Sequence, residues 1–218
     1  MVTTKLILKR SFSNAEIDEF LERRLAEAGY AGMDMEKLPL GYRLNVTVVK
    51  PGLVIGRKGM GIRDLTDELS SRFKLENLSI NVVEVTNPDL NPRIVAARIA
   101  SMAQRGMAFR RAIMVALAGV MRAGAMGCEI TVRGKLRSER AHHERHVQGI
   151  IPKSGNMTDL VVAKAVTDVL LKMGLYGIQV SIAFRDAVPP DFEAIKAKAP
   201  EPAPSEGLKP EGAGNANA

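Results

Sequence analysis

The 218-residue chain has a single cysteine, Cys128. It can form no internal disulfide, which fits a reducing compartment. No apolar run approaches the roughly eighteen residues that a membrane helix needs. The first residues carry mixed charge and lack the long apolar stretch of a signal peptide. These absences predict a soluble, cytoplasmic protein without a membrane partner. No Ser/His/Asp or paired-carboxylate arrangement has a catalytic context, so neither an enzyme nor a cofactor is expected. No repeat of fixed period appears.

What is present is positive charge, unevenly spread. The chain carries 31 Lys and Arg against 24 Asp and Glu, a net charge of +7. From residue 186 onward anions outnumber cations six to three, so residues 1–185 carry +10. Between Arg93 and Arg145 lie ten arginines and one lysine against Glu129, Glu139 and Glu144. Such a field suits a polyanion, because the planar guanidinium matches phosphate bidentately and stacks on bases. A solvated basic surface is the plainer alternative.

The apolar pattern divides the chain. Residues 14–29 read as an amphipathic helix with Asn14 as N-cap, a face of Ile17, Phe20, Leu21 and Leu25, and Gly29 as the stop. Strands are expected at 33–38, 42–49 and 78–85, and a helix at 61–73. This gives helix, strand, strand, loop, helix, strand. Beyond it, helices are expected at about 93–105 and 107–122, with Met102, Met107, Met114 and Met121 as packing residues. A strand follows at 128–136, a cationic turn or edge at 137–146, and a strand at 147–151. A helix is expected at 159–173, capped by Gly174, and a last strand at 177–184. After Ala187, Pro, Ala, Gly and Glu dominate, and roughly 195–218 reads as disordered, with Phe192 and Ile195 able to dock locally.

The stretch VIGRKGMGIRDL, residues 54–65, raises three readings. A Walker loop fails on spacing and has Arg57 where lysine is required. A dinucleotide fingerprint beginning at Gly59 fails at Asp64. The GXXG loop of a KH domain is satisfied by Gly56, Arg57, Lys58 and Gly59. Glycine at both ends relieves Cβ crowding where two helices meet, so the backbone can approach sugar-phosphate, and the two cations supply charge. Two elements precede the core strand, the order of the second KH type. The cluster AHHERH invites a metal reading, but no thiol is near in sequence, and RNA contact or solvent is the stronger alternative.

Five motifs in order carry a resemblance: PGLVIGRKG (51–59), AFRRAI (108–113), GCEITVRGKLRSERA (127–141), IIPKSG (150–155) and GLYGIQVSI (174–182). Together they closely resemble the universal KH-containing family of the small ribosomal subunit, third in the conventional numbering, in its archaeal and eukaryotic branch. The resemblance implies an α+β chain. Residues 1–88 would form a type II KH RNA-binding domain. Residues 89–186 would form a second α/β domain with a helix-backed, mostly antiparallel sheet, and 187–218 an acidic, Pro- and Ala-rich tail. It further implies a structural protein of the small-subunit head, bound to ribosomal RNA and neighbouring proteins, lining the channel through which messenger RNA enters. The family's paired arginines fall on Arg110 and Arg111. Met114 stands where bacterial members carry a further cation. The candidate RNA contacts are Gly56, Arg57, Lys58, Gly59, Arg105, Arg110, Arg111, Arg133, Lys135, Arg137 and Arg140, with no metal ligand among them. A free KH regulator binding single-stranded RNA outside ribosomes is the alternative. A DNA-repair lyase would need a lysine of depressed pKa, and nothing singles one out.

Overall fold

The computed structural model describes residues 2–39, 41–75 and 77–184. The expected tail at 187–218, with Phe192 and Ile195, lies outside them.

The chain begins with α1 (Val2–Arg24), closed by a 3-10 turn at Ala26–Ala28 and by Gly29 in the left-handed region. No glycine or proline interrupts the sequence before Gly29. The helix therefore extends well upstream of the expected start, and Asn14 lies in its interior rather than capping it. Two strands follow, β1 (Tyr30–Leu38) and β2 (Gly41–Val48), paired antiparallel. A short helix α2 (Pro51–Ile55), the glycine turn, and α3 (Met60–Phe73) lead to β3 (Leu78–Glu84). β3 pairs parallel with β2, and the two helices supply the crossover that a parallel pair requires. The sheet order is β1-β2-β3. Leu44, Val46 and Val48 on the central strand meet Ile17, Leu21, Leu25, Val54, Leu65 and Leu69, closing the first core. Phe20 and Phe73 meet edge to face at its rim.

The second core lies beneath α4 (Pro92–Gln104) and α5 (Phe109–Arg122). Asn91 caps α4 by accepting from the amides of Arg93 and Ile94. Both helices pack on a four-stranded sheet of order β5-β4-β7-β6, antiparallel throughout. Its strands are β4 (Gly127–Gly134), β5 (His142–Gly149), β6 (Val162–Leu171) and β7 (Gly174–Ala183), with a short helix α6 (Asn156–Val161) before β6. The architecture is α+β, with a helix-backed sheet.

One expectation fails here and another is narrowed. The stretch 159–173 is mostly strand, not helix. Val162, Val166, Thr167 and Val169 favour extended backbone, and the odd positions from Ala163 to Leu171 turn toward the helices. The helical spacing arises because Val166 and Leu170, which lie on the exposed outer face, fall in step with buried Val169. Gly174 is the first residue of β7 and caps nothing. Of the two readings of the cationic stretch, turn or edge, the structure bears out the edge from His142 onward: the strand expected at 147–151 starts five residues earlier, as β5, with charged side chains along the sheet edge. Among the methionines, Met102, Met107 and Met121 pack against the core, whereas Met114 is 56% exposed.

One polar junction joins the two cores. Arg93 on α4 grips Asp18 on α1 with two hydrogen bonds, of 2.9 and 2.6 Å, and the Tyr30 hydroxyl of β1 donates to the same carboxylate. The Arg93 guanidinium holds the Asp18 carboxyl below the usual carboxylate range, against the opposing effect of burial, and the tyrosine bond lowers it further. Burial and the Asp18 charge push the Tyr30 hydroxyl up. A lowered carboxyl stabilises the fold fully above its unfolded pKa and loses that contribution as pH falls through the folded value. Asp18→Ala should therefore destabilise the protein by about 2 kcal/mol at neutral pH, and the gap from the parent should narrow below about pH 4. Urea unfolding of both proteins from pH 7 to pH 3 measures it; a gap that stays constant would remove the charged junction from the account.

Candidate nucleic-acid interface

The glycine turn is built by three glycines, not two. Gly56 leaves α2 at φ +68, and a Cβ there would lie 3.0 Å from the Gly61 amide nitrogen. Gly59 has no neighbour within 4 Å of its missing Cβ, so crowding does not explain it; its φ of +75 does. The crowded position is Gly61, where a Cβ would sit 2.5 Å from the Val54 carbonyl oxygen. The closeness of α3 to α2 thus depends on Gly61, which the motif reading passed over although it follows Gly59 by two. Lys58 also occupies the left-handed region, at φ +54. A side chain held there is strained, and such strain gathers at functional turns. Arg57 and Lys58 are exposed, and so are Leu53, Ile55 and Met60 around them.

The second cluster surrounds the start of α5. Its amphipathic pattern buries Ala112, Ile113, Ala116, Leu117 and Val120 and turns Arg110, Arg111, Met114 and Val115 outward. Arg110 and Arg111 stand in the first turn, which holds no acidic residue and has no side-chain cap. Cations at a helix N-terminus oppose the helix dipole, so this end concentrates positive potential. Arg111 makes no ion pair among the described residues.

Glu144 links this helix to the sheet edge. One of its carboxylate oxygens lies 2.8 Å from Arg137 and 3.7 Å from Arg110, and the other lies 3.8 Å from His146. A cleft of about 390 Å³ opens here, lined by Arg110, Leu136, Arg137 and the 142–146 stretch. His142, Glu144 and His146 share one face, as alternation requires. Among the described residues no group of three or more His, Cys, Asp or Glu could hold a metal ion. Lys135, Arg137 and Arg140 lie exposed on the connection from β4 to β5. Tyr176 anchors that connection: its hydroxyl donates to the Lys135 carbonyl at 2.8 Å, and its ring stacks at a tilt on Phe109.

The predicted residues thus fall into separate groups. Gly56 to Gly59 belong to the first core, and Arg110, Arg111 and Arg137 gather on the helix side of the second sheet. Arg133 pairs with His143 on the opposite face, and Arg105 is exposed at the end of α4. Sequence reasoning missed Glu144 as the link and Arg145, which binds Glu129 at 2.6 Å on the outer face. Strand alternation through AHHERH is the signal that separates them. Cys128 is wholly buried, and burial, aided by the neighbouring Glu129 charge, pushes its thiol up to about 12, which removes it from chemistry.

An α-β-β-α-α-β unit with an exposed GXXG turn, followed by a basic, helix-backed sheet, defines a protein of the KH nucleic-acid-binding class. Comparison with known families agrees: residues 16–90 match the KH domain, and residues 99–182 match the C-terminal domain of ribosomal protein S3. The chain is 46% identical over 191 residues to small ribosomal subunit protein uS3 of Staphylothermus marinus, covering 88% of this chain and 85% of that protein. The uS3 protein of Thermofilum pendens is 42% identical over 194 residues, covering 89% and 96%. That of Methanoculleus marisnigri is 34% identical over 215 residues, covering 99% and 92%. The chain belongs to the uS3 family of small ribosomal subunit proteins, in its archaeal-type branch. It is a structural constituent with RNA-binding domains, not an enzyme.

Gly61→Ala should shift α3 away from α2 and destabilise the protein by about 1–3 kcal/mol. Gly52→Ala, with nothing within 4 Å of its missing Cβ, should change stability far less. Thermal unfolding of the two variants compares them directly; equal losses would refute the close-approach account.

Proposed function

We propose that the chain binds ribosomal RNA in the small-subunit head and that α5 lines the channel through which messenger RNA enters. The observation that carries this reading is the first turn of α5. Two guanidiniums stand exposed at the positive end of a helix, where they lower stability, and among the described residues only Arg110 of the pair approaches a carboxylate. A single strand's phosphates would complete that charge. Arg105, Lys135, Arg137 and Arg140 extend the basic surface, and Arg133 adds to it from the outer face. Gly56, Arg57, Lys58 and Gly59 form the backbone-gripping turn of the KH unit, assigned to residues 1–88. Residues 89–186 form the channel-side unit, and 187–218 the acidic tail. Neighbouring head proteins complete the environment, in the cytoplasm. Met114, beside Arg110 and Arg111 on the exposed face, makes this helix less basic than its bacterial counterpart and so weaker at opening a duplex.

The exposed GXXG turn also favours a second reading, a regulator that binds single-stranded RNA away from ribosomes. Sedimentation of a gentle lysate separates the two. Co-migration with small subunits and ribosomes, lost on removing magnesium and raising salt, is expected; a chain mainly in the light fractions would favour the regulator. Arg57→Asp with Lys58→Asp should leave the circular dichroism spectrum intact and weaken RNA binding, because both side chains are exposed.

Arg111→Glu gives an opposed pair of outcomes. It replaces a cation by an anion at a helix N-terminus, so stability should rise by about 0.5–1 kcal/mol while affinity for RNA falls. Urea unfolding and fluorescence anisotropy on the same preparation measure both. A variant less stable than its parent would show that Arg111 is held by packing rather than kept for a ligand.

A further inference from the structure

The outer face of the second sheet, opposite α4 and α5, carries a polar cavity that the channel-side arginines do not reach. One cross-strand row on this face runs Glu129, Ser181, Lys164 over β4, β7 and β6. Gln179 stands in the next row. The chain leaving β5 folds over them with Ile151, Pro152 and Lys153, and Thr158 of α6 completes the wall around about 230 Å³.

Thr158 is 9% exposed, and among the described residues its hydroxyl is the one buried side-chain polar atom without a hydrogen-bond partner. Buried polar groups are nearly always paired, so an unpaired hydroxyl in the wall of a cavity is a candidate partner for a bound group. The surroundings define the ligand's chemistry. Glu129 is already engaged, by Arg145 at 2.6 Å and by Lys153 at 3.4 Å. Lys164 makes no ion pair among the described residues. Two lining cations, Lys153 and Lys164, therefore face one carboxylate that Arg145 also neutralises from the neighbouring row, and the Thr158 and Ser181 hydroxyls and the Gln179 amide add neutral donors. A compact anion that accepts several hydrogen bonds fits such a site, and a phosphate has that chemistry.

The face around the cavity favours a polyanion over an isolated ion. Arg145 lies opposite Thr131, and Arg133 opposite His143, so cations continue from the cavity along β4 and β5 in steps of two residues, about 7 Å each, while the one carboxylate in the Arg133 row, Asp168, stands across Gly177 on β6. We propose that this cavity seats one backbone phosphate of an RNA strand that crosses the outer face of the second sheet. The chain would then hold RNA on both faces of that sheet. The proposal rests on the reading of the chain as an RNA-binding ribosomal protein.

The test uses the full chain, inorganic phosphate, a labelled short oligouridylate and a glutamate-rich peptide. Variants are Thr158→Val, which keeps the shape, and Thr158→Val with Lys164→Met. Arg110→Gln with Arg111→Gln serves as the control for the channel-side surface. Phosphate should shift the amide resonances of Thr158 and Ser181 saturably in the parent and not in the double variant. Affinity for the oligonucleotide should fall roughly fivefold to tenfold in the double variant, and its salt slope should flatten by about 0.7, one single-strand phosphate contact. Thr158→Val alone should remain folded, since it removes an orphaned hydroxyl, so it reads the site even where the double variant unfolds. Absence of phosphate shifts overturns the proposal. So does unchanged affinity and slope in the double variant, and where the Arg110/Arg111 control still loses binding, the functional reading survives that result. Displacement of phosphate by the peptide and not by the oligonucleotide would assign the cavity to an acidic protein segment instead. A parent chain that binds no oligonucleotide overturns both readings together.

Discussion

The junction of Asp18, Tyr30 and Arg93 sets the geometry on which every other surface depends. The first core draws on α1, the three-stranded sheet and α3, and the second on α4, α5 and the four-stranded sheet. Each closes by its own apolar burial. Hydrophobic contact is non-directional, so it does not by itself fix how one core stands against the other. A guanidinium fork on a carboxylate is directional. Arg93 sits in the first turn of α4, just after the Asn91 cap, and reaches back to α1, while its guanidinium also lies 5.8 Å from the Tyr30 ring centre. Three elements meet at one partly buried charge pair. The glycine turn on one side and the arginine helix on the other are held in register by it.

Both basic surfaces are purchased with local strain. Lys58 sits where a side chain is disfavoured, and Arg110 and Arg111 sit where a helix prefers anions. Neither arrangement helps the isolated chain. Local rules tend to fail at functional or strained sites, and the two failures coincide with the two positions that the GXXG and FRRAI motifs single out. An anionic partner would reverse the sign of each: in the proposed function, phosphate neutralises the α5 start and approaches the backbone of the left-handed turn.

Much of this was legible in the sequence, where period and punctuation agree. Leu44, Val46 and Val48 alternate, and Pro51-Gly52 ends their strand, so β2 was readable to within a residue or two. The amphipathic faces of α3 and α5 were equally plain. The failure at β6 is instructive, since apolar residues at 163, 166, 169 and 170 satisfy a helical template. What decides for a strand is the open edge of β7, a long-range demand that no local window contains. The same limit explains the candidate site. The motif located the glycine turn, but Gly61 matters through the Val54 carbonyl, and Glu144 through an arginine more than thirty residues away. Residue types were readable; the partners were set by the fold.

The few anions of the arginine field show how the second sheet serves two faces. Between Arg93 and Arg145 stand three glutamates, and two of them lie in neighbouring strands with most of their side chains covered. Glu144 pairs across from Val132 and therefore faces the helices, where it draws Arg110 and Arg137 from different elements onto one oxygen. Glu129 pairs across from Val147 on the outer face, where it gathers Arg145 and Lys153. A covered carboxylate beneath two exposed cations limits their mutual repulsion and restricts their motion, so less conformational entropy remains to be lost on binding. Each glutamate thus makes an ordered pair of cations out of what would otherwise be a diffuse positive surface. Alternation along the strands, odd positions to one side and even to the other, is what lets one sheet carry two such pairs.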